Sequence, residues 1–583
     1  MSSCFLSGPI DSSLRNLRSL SILILDFNDL ISAPVPEFFA EFENLTTLSF
    51  RNCNLKGKFP EKIFQVPKLQ MLDVSENRLL QGSLPEFPPN GSLRTLLLRE
   101  TSFSGTLPHS IGKLKMLSTI DLSYCRFNGT IPKSMESLTR LEELGLSYNN
   151  FSGPILSFNM AKKLAVIALS KNLLTGQITF TRWEELLNLA FLDLNFNSLE
   201  GSIPVSLFYH PSLEQLLLSE NQFSGQLDEF SNVSSHILSV LDLSSNNLEG
   251  AIPMSIFDFQ GLQSVSLSSN NFNGSLQLNL IQQLANLEDL NLSDNSMLIE
   301  YHATNSSSPL YPQLSFLDLA SGNLKVFPDF LKNQSKLYYL GLSDNQIHGE
   351  IPNWIWNLRS LFMLNLSCNY LVNPDSPLPN LSNLFVVDLR SNQLQGPLPI
   401  LKPNVNFVDF SWNNFSSNIP INIGNWLPNT IFFSLASNRF HGSIPESICN
   451  AAPLEVLDLS NNSFSGAIPR CLTSMNLGVL DLKGNSLTGT IPDTFSEQCA
   501  LQTLDVNGNL LDGKLPESLA NCTKLEVLDI GNIKVEDAFP CYLKNLSMLH
   551  VLVLRSNNFY GPIGCPRLNS TCPMLQILDL ASK

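Results

Sequence analysis

The sequence has 583 residues, of which 43% are hydrophobic and only 15% are charged. This balance excludes a disordered chain, because disorder goes with low hydrophobicity and high charge. The net charge of −16 argues against a nucleic-acid partner, since a phosphate backbone would be repelled, and no run of about 20 apolar residues is present that could span a membrane.

One unit, L-x-x-L-x-x-L-x-L-x-x-N-x-L-x-G-x-I-P, recurs along the whole chain, with clean copies from Leu138 to Ile155 and from Leu454 to Pro469. Its Asn position, here called the slot, lies three residues after the last Leu of L-x-L. In chain order the slots are 4, 28, 53, 77, 101, 125, 149, 172, 197, 221, 246, 270, 295, 322, 345, 369, 392, 413, 438, 462, 485, 509, 533, 557 and 583. Their spacing of about 24 residues lies in the range of leucine-rich repeats.

The spacing of the unit predicts a β-rich α/β solenoid. In L-x-L two inward side chains alternate with an outward one, which is typical of a short strand with one buried face. We expect neighbouring strands to pair in parallel on the concave side of a right-handed curved superhelix. The whole chain, residues 1–583, is expected to be a single solenoid of about 24–25 repeats.

The slot residue is predicted to point inward, where an Asn amide can both donate to and accept from backbone groups that the turn leaves unpaired. Asn fills 18 of the 25 slots, and the others hold Cys4, Cys53, Thr101, Cys125, Gly322, Ile533 and Lys583. Ile533 cannot supply these bonds, so we expect a local rearrangement there that uses Asn532. Two residues past the slot, a second buried row is expected at Phe103, Phe127, Phe151 and Phe223.

Two segments and both ends depart from the unit. Residues 296–313 and 370–382 lack G-x-I-P, and 296–313 is expected to be an irregular insertion loop, which is either simply tolerated or contacts a partner. The first residues, MSSCFLSGPIDSSL, lack the regions of a signal peptide. Met1 and Lys583 both fall within a repeat, and we expect a chain truncated at both ends, without a signal peptide or a membrane anchor.

Signals of catalysis are weak. The seven His residues fall in different repeats, whereas metal ligation needs clustered His, Cys or carboxylates. The segment from Gly508 to Leu515 resembles a phosphate-binding loop but ends in Leu instead of Ser or Thr, and the repeat explains its glycines. We therefore expect no enzyme, no cofactor and no metal.

The sequence contains 16 N-x-[S/T] sequons, a pattern that favours secretion. Expected glycosylation sites are Asn44, Asn90, Asn128, Asn150, Asn232, Asn273, Asn305, Asn333, Asn414, Asn521 and Asn569. Asn291 and Asn365 occupy an outward position of the inner strand, where a glycan would obstruct the concave face.

The cysteines outside the slots suggest disulfides. Cys499 and Cys522 lie about one repeat apart, which places equivalent positions near enough for a bond. Further candidate pairs are Cys449 with Cys471 and Cys565 with Cys572. Reduced buried thiols are the alternative for each pair.

The outward residues of the concave strands are the predicted ligand site. Many copies carry Asp there, such as Asp242, Asp388 and Asp458, which we interpret as a solvated edge. Other copies carry aromatic and charged residues, which are typical of interface anchors, although ordinary surface variation would also explain them. The candidate ligand-binding residues are Arg99, Glu100, Tyr124, Tyr148, Lys171, Phe196, Arg390 and Trp412.

The unit with L-x-G-x-I-P resembles the plant-specific class of extracellular leucine-rich repeats. The segment from Pro469 to Asn532 is similar to the repeats that precede the island region of plant receptor-like proteins. The segment from Ser19 to Pro60, which begins SLSILILDFNDLISAPVPEFF, is similar to receptor-like proteins of the Verticillium wilt resistance type.

The resemblance implies the ligand-binding ectodomain of a plasma-membrane receptor that perceives a pathogen or peptide ligand on the extracellular side. Such a receptor would signal in defence through partner receptor kinases, and it would be held in the membrane by a segment absent from this chain. Two alternatives stay open. One is the ectodomain of a leucine-rich-repeat receptor kinase, and the other is a secreted inhibitor of enzymes that degrade cell walls.

Overall fold

The computed structural model describes residues 4, 6–89, 91–230, 237–302, 311–373, 384–563 and 574–581. The chain forms two compact units, Met1–Pro312 and Gln313–Lys583, and both are built from the same repeat. The described residues contain no helix that is long and apolar enough to cross a membrane.

In the first unit, each L-x-L element forms a short inner strand that pairs in parallel with those of the repeats before and after it. Leu144, for example, lies opposite Ile120 on one side and Ile167 on the other. The inner strands are Ile22–Ile24, Thr47–Ser49, Met71–Asp73, Thr95–Leu97, Thr119–Asp121, Glu143–Gly145, Val166–Ala168, Phe191–Asp193, Gln215–Leu217, Val240–Asp242, Ser264–Ser266 and Asp289–Asn291.

The second unit repeats this arrangement, and Leu457 lies between Phe433 and Leu480. Its inner strands are Phe316–Asp318, Tyr339–Gly341, Met363–Asn365, Val386–Asp388, Phe407–Asp409, Phe432–Ser434, Val456–Asp458, Val479–Asp481, Thr503–Asp505, Val527–Asp529, Val551–Val553 and Ile577–Asp579. The predicted β-rich leucine-rich-repeat solenoid with parallel strands is confirmed.

A second set of short parallel strands follows the slots. In the first unit these are Lys56–Lys58, Leu79–Gly82, Ser102–Thr106, Arg126–Thr130, Asn150–Pro154, Leu173–Gly176, Ser198–Gly201, Gln222–Gln226, Asn247–Gly250 and Asn271–Phe272, with a separate pair, Ser275–Gln277 and Leu298–Glu300. In the second unit they are His348–Glu350, Tyr370–Val372, Gln395–Gly396, Asn414–Phe415, His441–Gly442, Ser463–Gly466, Ser486–Gly489, Leu510–Gly513 and Lys534–Val535.

Single helical turns connect the second strands back to the inner ones. Most of them follow the Pro of I-P, whose fixed φ suits the start of a helix. The 3-10 helices are Ser12–Asn16, Glu37–Glu41, Glu61–Gln65, His109–Lys113, Lys133–Ser137, Trp183–Glu185, Val205–Leu207, Met254–Asp258, Leu278–Gln283, Asp329–Asn333, Ile355–Asn357, Ile423–Asn425, Glu446–Asn450, Glu517–Asn521 and Cys541–Asn545, and one α-helix spans Arg470–Ser474.

The core lies between these elements and is filled by rows of equivalent side chains. Leu144, Leu216 and Leu457, at the centre of their inner strands, are fully buried. The predicted second row is confirmed, because Phe103, Phe127, Phe151 and Phe223 are also fully buried. Phe127 and Phe151 stack with their ring centroids 6.2 Å apart, so apolar contacts join each repeat to the next.

The slot asparagines link successive repeats by hydrogen bonds. The amide nitrogen of Asn246 donates to the carbonyl oxygens of Leu243 (3.1 Å), Ser244 (3.1 Å) and, in the preceding repeat, Leu218 (3.0 Å). Its oxygen accepts from the backbone N–H of Phe223 at 3.0 Å. One side chain therefore serves backbone groups of two repeats, as the sequence predicts.

At two of the slots without Asn, the thiol of a cysteine is the hydrogen-bond donor. The sulfur of Cys53 lies 3.1 Å from the carbonyl oxygen of Leu25, and that of Cys125 lies 3.1 Å from the carbonyl oxygen of Leu98. Burial raises the pKa of both thiols to about 11, so both remain protonated donors at neutral pH. Cys4, by contrast, is exposed.

Asn532 does not supply the hydrogen bonds that are missing at Ile533, so that expectation is wrong. Ile533 is buried, but the amide of Asn532 donates to the side-chain oxygen of Asn507 at 3.1 Å and does not enter the slot. The reason is the backbone of Asn532, whose φ of 52° lies in the left-handed region, as it does at most residues that precede a slot. This conformation turns the side chain outward.

Replacement of a slot amide is expected to destabilise the protein. Asn246→Ala leaves the N–H of Phe223 and several carbonyl oxygens without a partner in the core, at a cost of about 1–3 kcal/mol. Urea denaturation of the purified chain measures this cost as a lower midpoint. Asn247→Ala is the matched control, because Asn247 is the next residue and its side chain is exposed; equal midpoints for the two variants would contradict the role of the slot.

Candidate functional site

The recurring Asp of the inner strands has a structural role, and at Asp388 the interpretation as a solvated edge is wrong. Asp388 is only 7% exposed, and its carboxylate accepts from the backbone N–H of Arg390 at 3.1 Å. Asp242 and Asp458 accept in the same way from the N–H two residues later, at 3.1 and 3.0 Å. The carboxylate thus closes the turn that leads into the slot.

The best-defined group of outward side chains lies in the first unit, on consecutive repeats. The rings of Tyr124 and Tyr148 stack with centroids 3.9 Å apart and planes 15° apart. Both residues precede a slot and have left-handed backbone, with φ of 56° and 57°. Because the N–H of each donates to a carbonyl of the following repeat, at 2.9 and 2.8 Å, equivalent side chains project in parallel.

Two cations extend this stack at its two ends. The guanidinium carbon of Arg99 lies 4.9 Å from the ring centroid of Tyr124. The ammonium of Lys171 lies 4.9 Å from the ring of Tyr148 and 4.5 Å from that of Phe196. The structure therefore brings five of the predicted residues into one continuous group, here called the tyrosine row: Arg99, Tyr124, Tyr148, Lys171 and Phe196.

The side chains of the tyrosine row are exposed to solvent although they contact one another. Tyr124, Tyr148 and Phe196 remain 40%, 38% and 45% exposed. The hydroxyl contact between the tyrosines raises the pKa of Tyr124 and lowers that of Tyr148. A preordered aromatic surface with cations at its ends can bind a ligand without first losing much side-chain entropy.

Glu100, the sixth predicted residue of this region, belongs to a surface network of ion pairs. It lies 2.9 Å from the guanidinium of Arg78 and 3.8 Å from that of Arg99. One repeat earlier, Arg51 pairs with Glu76 at 2.5 Å. This extension was not predicted from the sequence, although Glu76 stands at the same position before a slot as Glu100.

The other two predicted residues lie in the second unit, apart from the tyrosine row. Trp412 is 65% exposed, and Arg390 is exposed with its Nε 3.6 Å from the carboxylate of Asp388. Arg390 stands two residues before its slot, whereas Trp412 stands one residue before the next slot. The two residues mark a separate region of the inner face.

The sequons differ in exposure. The side chains of Asn44, Asn128, Asn150, Asn273 and Asn333 are exposed. Asn414 and Asn521 are half-buried, and the amide of Asn521 donates to the carbonyl of Phe495 at 3.1 Å. Outside the described residues lie Asn90, Asn232, Asn305 and Asn569.

Two of the proposed disulfides are formed in the structure. Cys499 is bonded to Cys522 with their Cα atoms 4.7 Å apart, and Cys449 to Cys471 with theirs 6.0 Å apart. Each bond joins adjacent repeats of the second unit. The pair Cys565 and Cys572 lies outside the described residues.

A wide surface cavity of about 1260 Å³ lies beside these disulfides, lined among others by Arg470, Asp493, Lys514 and Asp537. Two of its carboxylates are engaged in the fold: Asp493 accepts from the N–H of Ser518 at 2.8 Å, and Asp537 accepts from that of Leu515 at 3.3 Å. Within the described part of the chain, no group of three or more His, Cys, Asp or Glu residues could hold a metal ion. The tyrosine row therefore remains the candidate site.

Models of the leucine-rich-repeat family match residues 44–65, 92–114, 116–138, 238–259, 312–371, 453–475, 476–497 and 500–522. Receptor-like protein 6 of Arabidopsis thaliana is 37% identical over 484 residues, which cover 80% of this chain and 48% of that protein. The chain thus spans about half the length of this curated relative.

Solved structures of plant ectodomains also superpose on the chain. The plant peptide hormone receptor RGFR1 in complex with RGF2 gives a TM-score of 0.66 at 27% identity, over 100% of this chain and 94% of that one. The ectodomain of the Arabidopsis receptor kinase HAESA with its peptide hormone ligand IDA gives 0.63 at 30% identity, over 91% and 85%. HAESA with IDA and the co-receptor SERK1 gives 0.57 at 27% identity, over 95% and 84%.

The chain belongs to the plant leucine-rich-repeat receptor family. The ectodomains of this family form a ligand-binding, non-enzymatic class. The slot asparagines and the turn-closing Asp residues stabilise the repeats. The variable outward residues are available to contact another molecule.

The buried Asp388 predicts a pH-dependent stability. Burial raises its pKa to about 6, so the folded state holds the proton more tightly than the unfolded chain does. The contribution of the protonated carboxyl to the free energy of unfolding is fully present below the ordinary pKa of 3.8. It is lost as the pH rises through about 6. Asp388→Asn keeps the acceptor for the N–H of Arg390 without the charge, and it should stabilise the protein by about 1–3 kcal/mol near pH 7.5.

Denaturant unfolding of wild type and Asp388→Asn between about pH 4 and 7.5 measures this effect. The gain should shrink towards zero as the pH falls towards the ordinary pKa of 3.8, where the wild-type carboxyl becomes protonated in the unfolded chain as well. A variant that is less stable near neutral pH, or a gain that does not depend on pH, would show that burial does not control this carboxyl.

Proposed function

We propose that the chain is the ligand-binding ectodomain of a plant cell-surface receptor-like protein of the Verticillium wilt resistance type. It perceives a pathogen-derived or peptide ligand and acts in defence together with partner receptor kinases. The tyrosine row carries this proposal, because exposed aromatics with flanking cations are the side chains that dominate protein interfaces.

The comparisons support the ligand class and the kinase partners. RGFR1 and HAESA were each solved with a peptide hormone, and HAESA also with the co-receptor SERK1. In the proposed receptor the extracellular face of the plasma membrane is the site of action.

A receptor kinase ectodomain is the second candidate, and one observation favours it. The HAESA ectodomain, which belongs to a receptor kinase, is 30% identical and is covered over 85% of its length. Both candidates use the inner face for the ligand, so they differ only in the segment that lies beyond the repeats. The complete transcript distinguishes them: a membrane helix with a short tail supports the first, and a kinase domain supports the second.

Removal of either tyrosine is expected to weaken ligand binding at least tenfold. In Tyr124→Ala or Tyr148→Ala the stack is lost, and one cation loses the ring over which it lies. A library of microbial and plant peptides, screened against the immobilised wild-type chain, supplies the probe. The affinity of its selected members for each variant is then measured by surface plasmon resonance.

Tyr209→Ala is the matched control, since Tyr209 is 39% exposed in the same unit but lies outside the inner strands. This variant should bind the selected peptides like the wild type. Unchanged affinity in Tyr124→Ala and Tyr148→Ala would rule out the tyrosine row as the binding surface.

A further inference from the structure

One buried histidine of the first unit stands where other repeats have leucine. His210 occupies the first Leu position of L-x-x-L-x-x-L-x-L and is only 1% exposed. Leu114, Leu138 and Leu186 fill the equivalent position of other repeats and are buried as well. An imidazole thus lies in a place suited to an apolar side chain, where it is unfavourable unless its nitrogens form hydrogen bonds.

Both ring nitrogens of His210 contact backbone groups. Nε2 lies 3.2 Å from the carbonyl oxygen of Leu186 in the preceding repeat, and Nδ1 accepts from the N–H of Ser212 at 3.3 Å. Because a carbonyl can only accept and an N–H can only donate, Nε2 carries a proton and Nδ1 carries none. The two contacts therefore specify the neutral imidazole, which joins the preceding repeat to its own.

A polar side chain that does not titrate also fits this position of the repeat. In the second unit it is held by Gln334, which is buried and whose side-chain oxygen accepts from the N–H of Leu314 at 2.8 Å. An amide keeps its donors and its acceptor at every pH of interest, whereas an imidazole accepts at one nitrogen only while it is neutral. The pH therefore controls the contact at His210 and not the one at Gln334.

The charged groups near His210 compensate little for a positive charge on its ring. Among the described residues, Glu184 is the acidic residue whose charge acts on the imidazole, and its side chain is exposed. The neighbouring Glu185 already pairs with Lys162 at 2.6 Å and with Arg182 at 3.1 Å. A protonated His210 would consequently lack a buried counter-charge.

Burial lowers the pKa of His210, although the carbonyls of Leu186 and Trp183 and the charge of Glu184 act in the opposite direction. The packed turn Val205–Leu207 adds no charged side chain. Since the folded chain then binds this proton less tightly than the unfolded chain does, the contribution of the neutral ring to the free energy of unfolding is fully present above the ordinary pKa of 6.5. It is lost as the pH falls below that value, towards the lowered pKa of the folded chain.

We propose that His210 is a pH-sensitive latch between two repeats of the first unit, closed while its imidazole is neutral and opened by protonation. A proton on Nδ1 meets the N–H of Ser212, so donor faces donor and the ring leaves the core for water. The carbonyl of Leu186 then loses its partner, and the turn Trp183–Glu185 separates from the chain around Ser212. Trp183 is fully buried in the closed form, so opening exposes apolar surface.

The opening is local, because the strand side of the same two repeats is joined by a group that does not titrate. The amide of Asn221 donates to the carbonyl of Leu194 at 2.9 Å, and its oxygen accepts from the N–H of Leu199 at 3.0 Å. These bonds persist when His210 is protonated. Local opening of this kind changes hydrogen exchange in one segment without unfolding the chain.

Hydrogen–deuterium exchange of the full chain, read by mass spectrometry at about pH 7.5 and about pH 5 with labelling times corrected for the intrinsic rate, tests the latch. Peptides that cover residues 183–189 and 210–213 should lose protection by about fivefold or more at the acidic pH. Peptides over residues 135–141, where Leu138 stands at the equivalent position, should change by less than about twofold.

Two variants and one measurement on the wild type separate the latch from a general effect of acid. His210→Gln and His210→Leu introduce the side chains that Gln334 and Leu186 place at this position, and both should keep residues 183–189 equally protected at the two pH values. In the wild type, exchange of the imidazole C2 hydrogen should give His210 a lower pKa in the folded chain than in urea.

Three results would overturn the proposal. One is equal protection of the wild-type segments at both pH values. Another is the same loss of protection by acid in either variant. The third is a pKa of His210 in the folded chain that is no lower than in the unfolded chain, a result that does not depend on the folding of any variant.

Discussion

The structure depends on one hydrogen-bonding side chain, the slot Asn, that recurs in most repeats. The amide of Asn172 donates to the carbonyl oxygens of Leu169 (3.1 Å) and of Leu146 in the preceding repeat (3.0 Å), and its oxygen accepts from the N–H of Phe151 (3.0 Å). A tight turn leaves these backbone groups without partners, and burying them unpaired would cost about 1–3 kcal/mol each. The amide therefore fixes the register of each repeat on the one before it.

Because this register is set from within, the outward residues other than the turn-closing Asp are less constrained by the fold, and they differ between the two units. The first unit uses them for the tyrosine row, in which Arg99 and Lys171 lie over the stacked rings of Tyr124 and Tyr148. The second unit uses the strand positions themselves for stacked rings such as Phe407 and Phe432. The same scaffold thus presents stacked aromatic side chains at different positions of the repeat in the two units.

The repeat, the slot hydrogen bonds and the buried Phe row could be predicted from the sequence. All three involve inward-facing residues, and only these must recur at a fixed spacing along the chain. The neighbours Tyr124 and Tyr148 could be found for the same reason, since equal positions in consecutive repeats lie side by side. The turn-closing role of Asp388 could not be predicted, because it depends on a hydrogen bond from the backbone N–H of the second residue after it. Asn532 could not be seen from the sequence to be unsuitable for the slot, because its left-handed backbone turns its side chain towards Asn507.

Hydrogen–deuterium exchange of the unliganded chain tests the central constraint most directly. The N–H groups that donate to a slot oxygen, such as those of Leu199, Phe223 and Phe464 at 3.0 Å, should exchange as slowly as the N–H groups of the inner strands. Exchange at these positions as fast as in the exposed turns would contradict the account, since the slot amides would then not hold the repeats together.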